Sequence, residues 1–397
     1  MNRAALAIVV AVIVIIAAVG VVFLVTNNAK SSTQSSLTSN TSSTSSSSSG
    51  GYYFLVLTQK GMAQLESQSG SLLGYTRLYN ISDSTPVQDF YWDEYPVQGI
   101  AGSTFLIPLN NGTVEILNIT TMKIMNTISV GSATGFIGVA VNPNQTFAAL
   151  ADGPSGKVEV MDMKTLQVLW KTTFNTPSGS TAYPCDVRWS ADGNSFAIPM
   201  KNNDTVDIIN AQTGAIMASS ILPTKSQPYM LSINTQGNQL AVELAGNKTD
   251  AFYSYPALKP LGTVGFNSSF TTQRGVFTAD GKYYLEASSS SNVVAVISTS
   301  TFKQVNTINL PPSSAPGLSD MELTPDSNYA YVVQHGNPTS GGIIYLILTS
   351  NLESSEVGAS ASIPLTTAPA IAVPISVQTG TYLADQVLSP PVTGLHC

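Results

Sequence analysis

The sequence predicts an all-β fold: a seven-bladed β-propeller of four-stranded antiparallel blades, preceded by one N-terminal transmembrane helix and a disordered Ser/Thr-rich stalk. Three observations predict the propeller. A short turn motif recurs at intervals of 44 to 48 residues. Each turn separates two runs in which apolar and polar residues alternate with the period of a β-strand. Two further runs complete each repeat, and four strands in about 40 to 50 residues are typical of a propeller blade.

The turn motif is clearest as Ala-Asp-Gly, which occurs at 191–193 and again at 279–281. In such a turn Gly adopts a positive φ at no steric cost, and Asp accepts hydrogen bonds within its own turn. The motif therefore predicts the hairpin between the first and second strands of each blade. The aligned turns begin at Asn142, Ser190, Asn234, Thr278 and Thr324.

Six complete units of four strands begin near residues 98, 136, 185, 229, 273 and 319. A seventh unit is expected to combine the two ends of the propeller. Residues 370–377 and 381–384 would supply its two inner strands, and residues 53–57 and 72–78 would supply its two outer strands. Such closure would leave the ring without a free end and hold both termini in the sheet.

These units resemble the YVTN-type β-propeller repeats, a family common in archaeal and bacterial surface proteins. The turn of that family corresponds here to 191–193, 279–281 and Pro325-Asp326, and its outer-strand element to 158–162 and 206–210. The literal Tyr-Val-Thr-Asn string is absent. The resemblance covers roughly residues 98–385. It implies an extracellular binding or surface-layer-associated module, and it transfers no catalytic residue.

The N-terminal segment predicts export. Residues 4–25 are 22 consecutive apolar residues, which as a helix would span about 33 Å, enough for a bilayer core. Arg3 and the amino terminus favour a cytoplasmic start, which places the rest of the chain outside the cell. A retained single-pass anchor and a cleaved signal both remain open. The expected boundaries are 1–28 for the anchor or signal, 29–51 for the linker, 52–390 for the propeller and 391–397 for the tail.

The linker and the sequons predict a glycosylated exterior. Residues 31–49 are almost entirely Ser and Thr, a composition that cannot bury apolar surface and therefore forms a spacer or stalk. Asn-x-Ser/Thr sequons are candidate glycan acceptors in an exported chain. They lie at Asn40, Asn80, Asn111, Asn118, Asn144, Asn203, Asn247 and Asn267.

Composition excludes several classes of function. The formal net charge is −7 and only 10% of residues are charged. A nucleic-acid partner is not expected, because phosphate binding needs a basic surface. The chain has two histidines and two cysteines, whereas zinc and haem sites usually take these ligands in sets. We therefore expect no cofactor, and a catalytic Ser–His–Asp arrangement has no sequence support.

The longest connection between predicted strands is the first candidate binding site. It contains the run Asp89-Phe-Tyr-Trp-Asp-Glu-Tyr95, whose aromatic rings and carboxylates could hold a sugar or a protein partner. The same residues could instead fold over the first blade. The candidate ligand residues are Asp89, Tyr91, Trp92, Asp93, Glu94 and Tyr95.

Charged residues at the starts of the inner strands form the second candidate site. They are Asp186, Arg188, Arg274, Asp320 and Glu322. Around a central channel they could bind a polar ligand, or they could pair with one another. No calcium-loop pattern occurs, so no metal site is assigned.

The two cysteines, Cys185 and Cys397, could form a disulfide that fastens the tail to the propeller in an exported protein. The alternative is a buried Cys185 with a free or intermolecular Cys397.

The sequence thus predicts a membrane-anchored propeller outside the cell, acting in binding or cell-envelope organisation with an envelope protein or glycan as partner. The alternative is an exported propeller enzyme, a lactonase-like metal-dependent hydrolase.

Overall fold

The computed structural model describes residues 52–58, 62–66, 72–77, 93–94, 104–108, 113–118, 121–129 and 138–376, the last with gaps at 145, 235, 313–316, 325–326, 338–340, 356 and 366–368. The predicted transmembrane segment, the stalk and the tail lie outside these residues. Within them, no helix has the length and apolarity needed to cross a membrane. All described residues belong to the unit Gly50–Cys397.

The described chain forms four-stranded antiparallel sheets. Six of them are built from four strands that follow one another in sequence. The first two sheets consist of β4 (Asp93–Glu94), β5 (Thr104–Pro108), β6 (Thr113–Asn118) and β7 (Lys123–Ser129), and of β8 (Gly138–Val141), β9 (Phe147–Asp152), β10 (Lys157–Asp162) and β11 (Gln167–Thr173). The next two consist of β12 (Arg188–Trp189), β13 (Ser195–Met200), β14 (Thr205–Asn210) and β15 (Ile216–Ile221), and of β16 (Pro228–Ile233), β17 (Gln239–Leu244), β18 (Thr249–Ser254) and β19 (Pro260–Gly265). The last two consist of β20 (Thr272–Phe277), β21 (Tyr283–Ser288), β22 (Val293–Ser298) and β23 (Lys303–Asn309), and of β24 (Leu318–Leu323), β25 (Tyr329–Asn337), β26 (Gly341–Leu348) and β27 (Ala359–Pro364).

One further four-stranded sheet joins the two ends of the unit, in the order β28-β1-β2-β3. Its strands are β28 (Pro369–Ser376), β1 (Tyr52–Thr58), β2 (Met62–Glu66) and β3 (Leu72–Arg77). The β28 strand pairs with β1 and also packs against β24 and β25 of the preceding blade. This sheet therefore takes its strands from both ends of the unit.

The expectation of seven blades is wrong: the structure has six blades of four consecutive strands, not seven. Six blades have the consecutive four-strand design, and the sheet at the chain ends does not have the predicted composition of two strands from each end. It takes one C-terminal strand and three N-terminal strands. The missed strand is β2, Met-Ala-Gln-Leu-Glu, whose residues favour a helix by propensity but are held extended by pairing with β1 and β3. The expected strand at 381–384 lies outside the described residues.

The recurrent turns form the predicted hairpins, and the first residue of each turn explains why the turns have the same length. The side chain of that residue accepts hydrogen bonds from the backbone at the far end of the turn. Ser190 Oγ accepts from Ser195 N at 3.1 Å and Asn234 Oδ1 accepts from Gln239 N at 3.0 Å. In the two Ala-Asp-Gly turns, Gly193 and Gly281 have φ values of 69° and 68°. These turns thus fix the register of each inner hairpin.

The hydrophobic core lies between blades. One cluster joins Ala149 and Val160 of one blade to Phe196 and Ile198 of the next. Trp189 adds a hydrogen bond across the same boundary, from its Nε1 to the carbonyl oxygen of Ala140 at 2.8 Å. Both faces of an inner strand are therefore covered by protein, while the outermost strands, such as β11 and β15, are largely exposed.

Candidate functional site

Three inner strands bring the predicted charged residues together. Arg188 lies in β12 with Asp186 just before it, Arg274 lies in β20, and Asp320 and Glu322 lie in β24. The two arginines and three acids are all buried, and Arg274 is only 1% exposed. These five residues form what we call the arginine cluster. The second of the two sequence readings, in which the charges pair with one another, describes this arrangement.

Arg274 is the centre of the arginine cluster. Its Nη2 lies 3.0 Å from Glu322 Oε2, its Nη1 lies 3.6 Å from Asp186 Oδ2, and its Nε lies 3.7 Å from Asp320 Oδ1. Arg188 Nε lies 3.5 Å from Asp186 Oδ2. One guanidinium therefore contacts carboxylates that come from two other blades.

The backbone of β16 completes the arginine cluster at Leu231. The Leu231 N–H donates to Asp186 Oδ2 at 2.8 Å. The Leu231 carbonyl oxygen accepts from Arg188 Nε at 3.0 Å and from Arg274 Nη1 at 3.4 Å. The strand between the two arginines thus supplies both a donor and an acceptor, which fixes the side chains in place.

Burial has the largest effect on the pKa values of the carboxyls in the arginine cluster. It raises the pKa of Asp320 to about 7, more than the nearby Arg274 charge lowers it. The pKa values of Asp186 and Glu322 are raised for the same reason, again against the opposing effect of Arg274. Burial alone would lower the pKa of Arg274, but the Glu322, Asp186 and Asp320 carboxylates raise it, so the guanidinium keeps its charge.

A second buried group, which sequence reasoning missed, lies between the blades of β16–β19 and β20–β23. It consists of Glu243, Asp250, Tyr284 and Glu286, and we call it the acidic cluster. Glu243 and Asp250 are register partners on β17 and β18, and Tyr284 and Glu286 lie on β21 of the next blade. All four side chains are fully buried.

The acidic cluster has few partners among the described atoms. Glu243 Oε1 accepts from the Gly275 N–H and Glu286 Oε1 accepts from the Gln273 N–H, each at 2.8 Å. Neither Asp250 oxygen has a hydrogen-bond partner among the described atoms. The Tyr284 hydroxyl lies beside Glu243 and Glu286 and acts on both carboxyls as a side-chain hydrogen-bond partner, which lowers their pKa values less than burial raises them. Burial, reinforced by the neighbouring carboxyls, raises the pKa values of Glu243, Asp250 and Glu286 well above their usual range. Burial therefore favours the protonated, uncharged form of these acids.

The chemistry open to these two clusters is structural. In the described part of the chain, no group of three or more His, Cys, Asp and Glu side chains is arranged to hold a metal ion. A charged ligand would have to displace Arg274 or one of its carboxylates to bind there. The arrangement can store protons and hold blades together, and it presents no exposed nucleophile or general base.

The aromatic candidate site falls mostly outside the described residues. Asp89, Tyr91, Trp92 and Tyr95 are not described. The backbone of Asp93 and Glu94 forms β4, which pairs with Leu106 and Phe105 of β5. The binding site at 89–95 therefore remains a prediction. Within it, Asp93 and Glu94 form the first strand of a blade.

The sequons differ in accessibility where they are described. Asn144, Asn247 and Asn267 are exposed, and Asn203 is half-buried. Asn118 is only 3% exposed and its Oδ1 accepts from Thr121 N at 3.0 Å. Asp162 Oδ1 and Asn210 Oδ1 accept in the same way in other blades, so Asn118 serves as a turn residue, and a glycan at this sequon stays a prediction. Asn40, Asn80 and Asn111 lie outside the described residues.

Cys185 is fully buried and engaged in a disulfide. Cys397, the other cysteine of the chain, lies outside the described residues. The pairing of Cys185 with Cys397 therefore stays a prediction. His335 lies in β25, and its side chain is not described.

No protein-family model matches the chain, and no curated protein matches it. Solved structures do resemble it. Hydrazine synthase of Kuenenia stuttgartiensis is 17% identical with a TM-score of 0.55, covering 68% of this chain and 90% of that chain. The dihydro-haem d1 dehydrogenase NirN in complex with DHE is 13% identical with a TM-score of 0.53, covering 81% and 74%. At such identities the likeness shows the fold alone: the chain is a β-propeller, and no family model supports its resemblance to the YVTN-type repeats.

Proposed function

We propose that this chain is a binding or scaffold propeller of the cell envelope, held outside the cell by its N-terminal apolar segment and stalk. A single observation carries the proposal: the charged residues of the inner strands neutralise one another. Arg274 is surrounded by Asp186, Asp320 and Glu322 and is shielded from solvent. Groups used in this way position blades and are not available to a substrate.

The surface of the described chain also favours binding over catalysis. Its turns and outer strands are rich in Ser, Thr and Asn, and its low charge suits recognition by hydrogen bonds and aromatic contacts. In propellers the connections between blades commonly carry the ligand site, because loops can vary on a rigid scaffold. We therefore assign ligand contact to Asp89, Tyr91, Trp92, Asp93, Glu94 and Tyr95, and expect an envelope glycan or protein as the partner.

The alternative is a metal-dependent hydrolase. It would need open carboxylates that could share a metal, yet Asp320 is 1% exposed and lies beside a guanidinium. The two solved structures named above are enzymes, but their low identity transfers no activity. We therefore rank this reading second.

The experiment compares the binding of envelope components to the full-length chain with their binding to a variant carrying Tyr91→Ala, Trp92→Ala and Tyr95→Ala. The probes are envelope glycans and surface proteins of the source organism. Tyr283→Ala is the matched control, since this half-buried tyrosine lies at the hairpin end of β21 and bonds Glu353. We expect the triple variant to lose the captured ligand and Tyr283→Ala to keep it.

Two results would contradict the proposal. The first is a wild-type chain that captures no envelope component, or a triple variant that binds as well as wild type. The second is hydrolysis of lactones that is abolished both by a chelator and by Asp320→Ala, which would establish the enzyme reading instead.

A further inference from the structure

The loops at one end of two neighbouring blades form a continuous surface. Because antiparallel strands alternate in direction, the hairpin between the second and third strands of a blade lies at the same end as the connection to the next blade. Five such segments meet at this end of the blades β12–β15 and β16–β19. They are residues 181–185, 201–204, 222–227, 245–248 and 266–271.

Hydrogen bonds to the backbone join these segments around the first of the two blades. The Lys201 N–H donates to the Tyr183 carbonyl oxygen at 3.1 Å. Asp204 Oδ2 accepts from the Lys225 N–H at 2.7 Å, and Asp204 Oδ1 accepts from the Gln227 N–H at 2.9 Å. The hairpin that carries Lys201 therefore holds the connection that carries Lys225.

The same connection is bonded to the hairpin of the next blade. The Gly246 N–H donates to the Ser226 carbonyl oxygen at 2.9 Å. The Phe266 N–H in turn donates to the Lys248 carbonyl oxygen at 2.9 Å. Lys201, Lys225 and Lys248 thus lie on loops that are directly joined, and we call these three residues the lysine patch.

The lysine patch is positively charged although the whole chain is acidic. The chain has a formal net charge of −7, yet the five segments contain three lysines and a single carboxylate, that of Asp204. The Asp204 oxygens already accept hydrogen bonds from the loop at residues 225–227. The surface therefore carries an excess of positive charge.

Two of the ammonium groups have no carboxylate partner among the described residues. Lys225 is exposed, and its ammonium makes no hydrogen bond or ion pair with them. Lys248 Nζ donates to the Ser268 carbonyl oxygen at 2.6 Å, a neutral acceptor that leaves its charge uncompensated. Lys201 Nζ lies 5.5 Å from the centre of the Tyr183 ring. Burial lowers the pKa of Lys201 to about 8, so this amine remains largely protonated at pH 7.

The surroundings of the lysine patch favour a saccharide over a peptide as the ligand. Hydroxyl and amide side chains can bond sugar hydroxyls, and the half-buried rings of Tyr183 and Phe266 can cover a sugar ring. None of the exposed large hydrophobic residues of the described chain lies in the five segments, whereas protein interfaces usually centre on apolar or aromatic anchors. The exposed polar side chains of the segments include Asn202, Thr224, Gln227, Asn247 and Ser269.

We propose that the lysine patch binds an acidic polysaccharide, a sugar chain that carries repeated carboxylate or sulfate groups. An exposed ion pair contributes at most about 1 kcal/mol, so a single small anion would bind weakly at these separate loops. A chain with repeated charges can contact several lysines at once, because each further contact forms within one complex. The lysine patch contains none of the residues 89–95, and the proposal is independent of the aromatic site.

Binding of the full-length chain in detergent is measured on immobilised polygalacturonate, dextran sulfate, neutral dextran and polyglutamate. One variant carries Lys225→Gln and Lys248→Gln, which remove two charges from the lysine patch. The matched control carries Lys259→Gln and Lys303→Gln, at two exposed lysines near the opposite end of the blades. We expect the wild type to bind both acidic polysaccharides, with a dissociation constant that rises about tenfold in the patch variant and is unchanged in the control. Added salt should weaken the binding.

A wild-type chain that binds neither acidic polysaccharide would overturn the proposal, as would equal binding by wild type and patch variant. Equal weakening in both double variants would mean that binding follows net charge and not the lysine patch. Polyglutamate bound as tightly as polygalacturonate would assign the patch to an acidic protein instead, and neutral dextran bound equally well would remove the role of charge. Circular dichroism checks that each variant is folded. If Lys248→Gln disturbs the fold, Lys225→Gln alone carries the expectation in the same direction.

The sequon at Asn247 gives a second test. Asn247 is exposed and precedes Lys248, so a glycan attached to it would cover the lysine patch. Although the sequence makes Asn247 a candidate glycan acceptor, we expect this residue to be unmodified in the native protein. Peptide mass spectrometry measures its occupancy, and a glycan found at Asn247 would overturn the proposal.

Discussion

At the scale of single residues, Arg274 matters most among the described charges. It is buried and contacts three carboxylates from two other blades. Buried ion pairs contribute little net stability compared with apolar replacements, but loss of one partner leaves the others uncompensated. The arginine therefore acts as the cation that makes the burial of Asp186, Asp320 and Glu322 tolerable.

We expect Arg274→Met to lower the free energy of unfolding by about 3–5 kcal/mol at pH 7, and by clearly less at pH 4.5. At the lower pH the three carboxyls take up protons and no longer need a counter-charge. Urea unfolding at both pH values measures the difference. The control is Lys282→Met, which removes an exposed pair with Asp280 at 3.0 Å and should change stability by no more than about 0.5 kcal/mol. An equal cost of Arg274→Met at both pH values would refute this role.

At the scale of elements, β20 and β21 are held close to β17 and β18 by the acidic cluster. Gly275 of β20 lies where its N–H reaches Glu243, and a Cβ at this position would collide with the Tyr284 hydroxyl and with Glu286 Oε2. Phe252 packs edge-on against Tyr284 at 5.3 Å between ring centroids and keeps the tyrosine from moving away. Glycine is thus required here by close approach between elements.

We expect Gly275→Ala to destabilise the protein by about 1–3 kcal/mol, because the added methyl group overpacks this boundary. Gly265→Ala is the matched control: it is also a strand glycine, in β19, and a Cβ there would meet no atom within 4 Å. That variant should be neutral or slightly more stable, since alanine restricts the unfolded chain. Chemical denaturation of both variants is the measurement, and a tolerated Gly275→Ala would show that the boundary is looser than described.

At the scale of the whole molecule, the sequence predicts what depends on local chemistry. The Ala-Asp-Gly turns predict their hairpins, because the tight turn itself requires a positive φ at Gly193 and Gly281 and a hydroxyl acceptor at Ser190 and Thr278. The sheet at the chain ends was predicted only in part, because β2 has no strand propensity of its own and is extended by its neighbours.

The two clusters also differ in whether they could be predicted from the sequence. The arginine cluster was predicted as a set, since charges at the start of inner strands converge in a propeller. The acidic cluster was missed because Glu243 and Glu286 occupy alternating strands, where a polar residue ordinarily faces water. In this fold both faces of such a strand are covered by neighbouring blades, so the same alternation places carboxyls in the interior. One sequence signal could have predicted the acidic cluster. It is a glutamate on the second strand of a blade that pairs with an acid on the third strand, as Glu243 pairs with Asp250.

Together the two clusters predict how the stability of the whole propeller depends on pH. The six carboxyls of the two clusters have pKa values raised in the folded state, that of Asp320 to about 7; they are Asp186, Glu243, Asp250, Glu286, Asp320 and Glu322. The pKa values of Glu159 and Asp207 are raised in the same direction, mainly by burial. Between the unfolded values near 4 and these raised values, the folded chain binds more protons than the unfolded chain. Its free energy of unfolding therefore falls as pH rises through this window. Asp162, Asp192 and Asp280 have lowered pKa values through hydrogen bonds in exposed turns, and they act oppositely only below about pH 4.

We therefore expect maximum stability near pH 4 to 5 and a continuous loss between about pH 5 and 7, because the buried carboxyls must give up protons in a medium that does not solvate the charge. Urea unfolding across this range measures the loss, and unfolding in weakly buffered solution at about pH 6 should release protons. Asp320→Asn keeps an uncharged group of the same shape beside Arg274 and should flatten the profile near pH 7, whereas Asp280→Asn, in an exposed turn, should leave that part of the profile unchanged. Stability that rose from pH 5 to pH 7 would mean that these carboxyls are ionised in the folded protein and that Arg274 outweighs their burial.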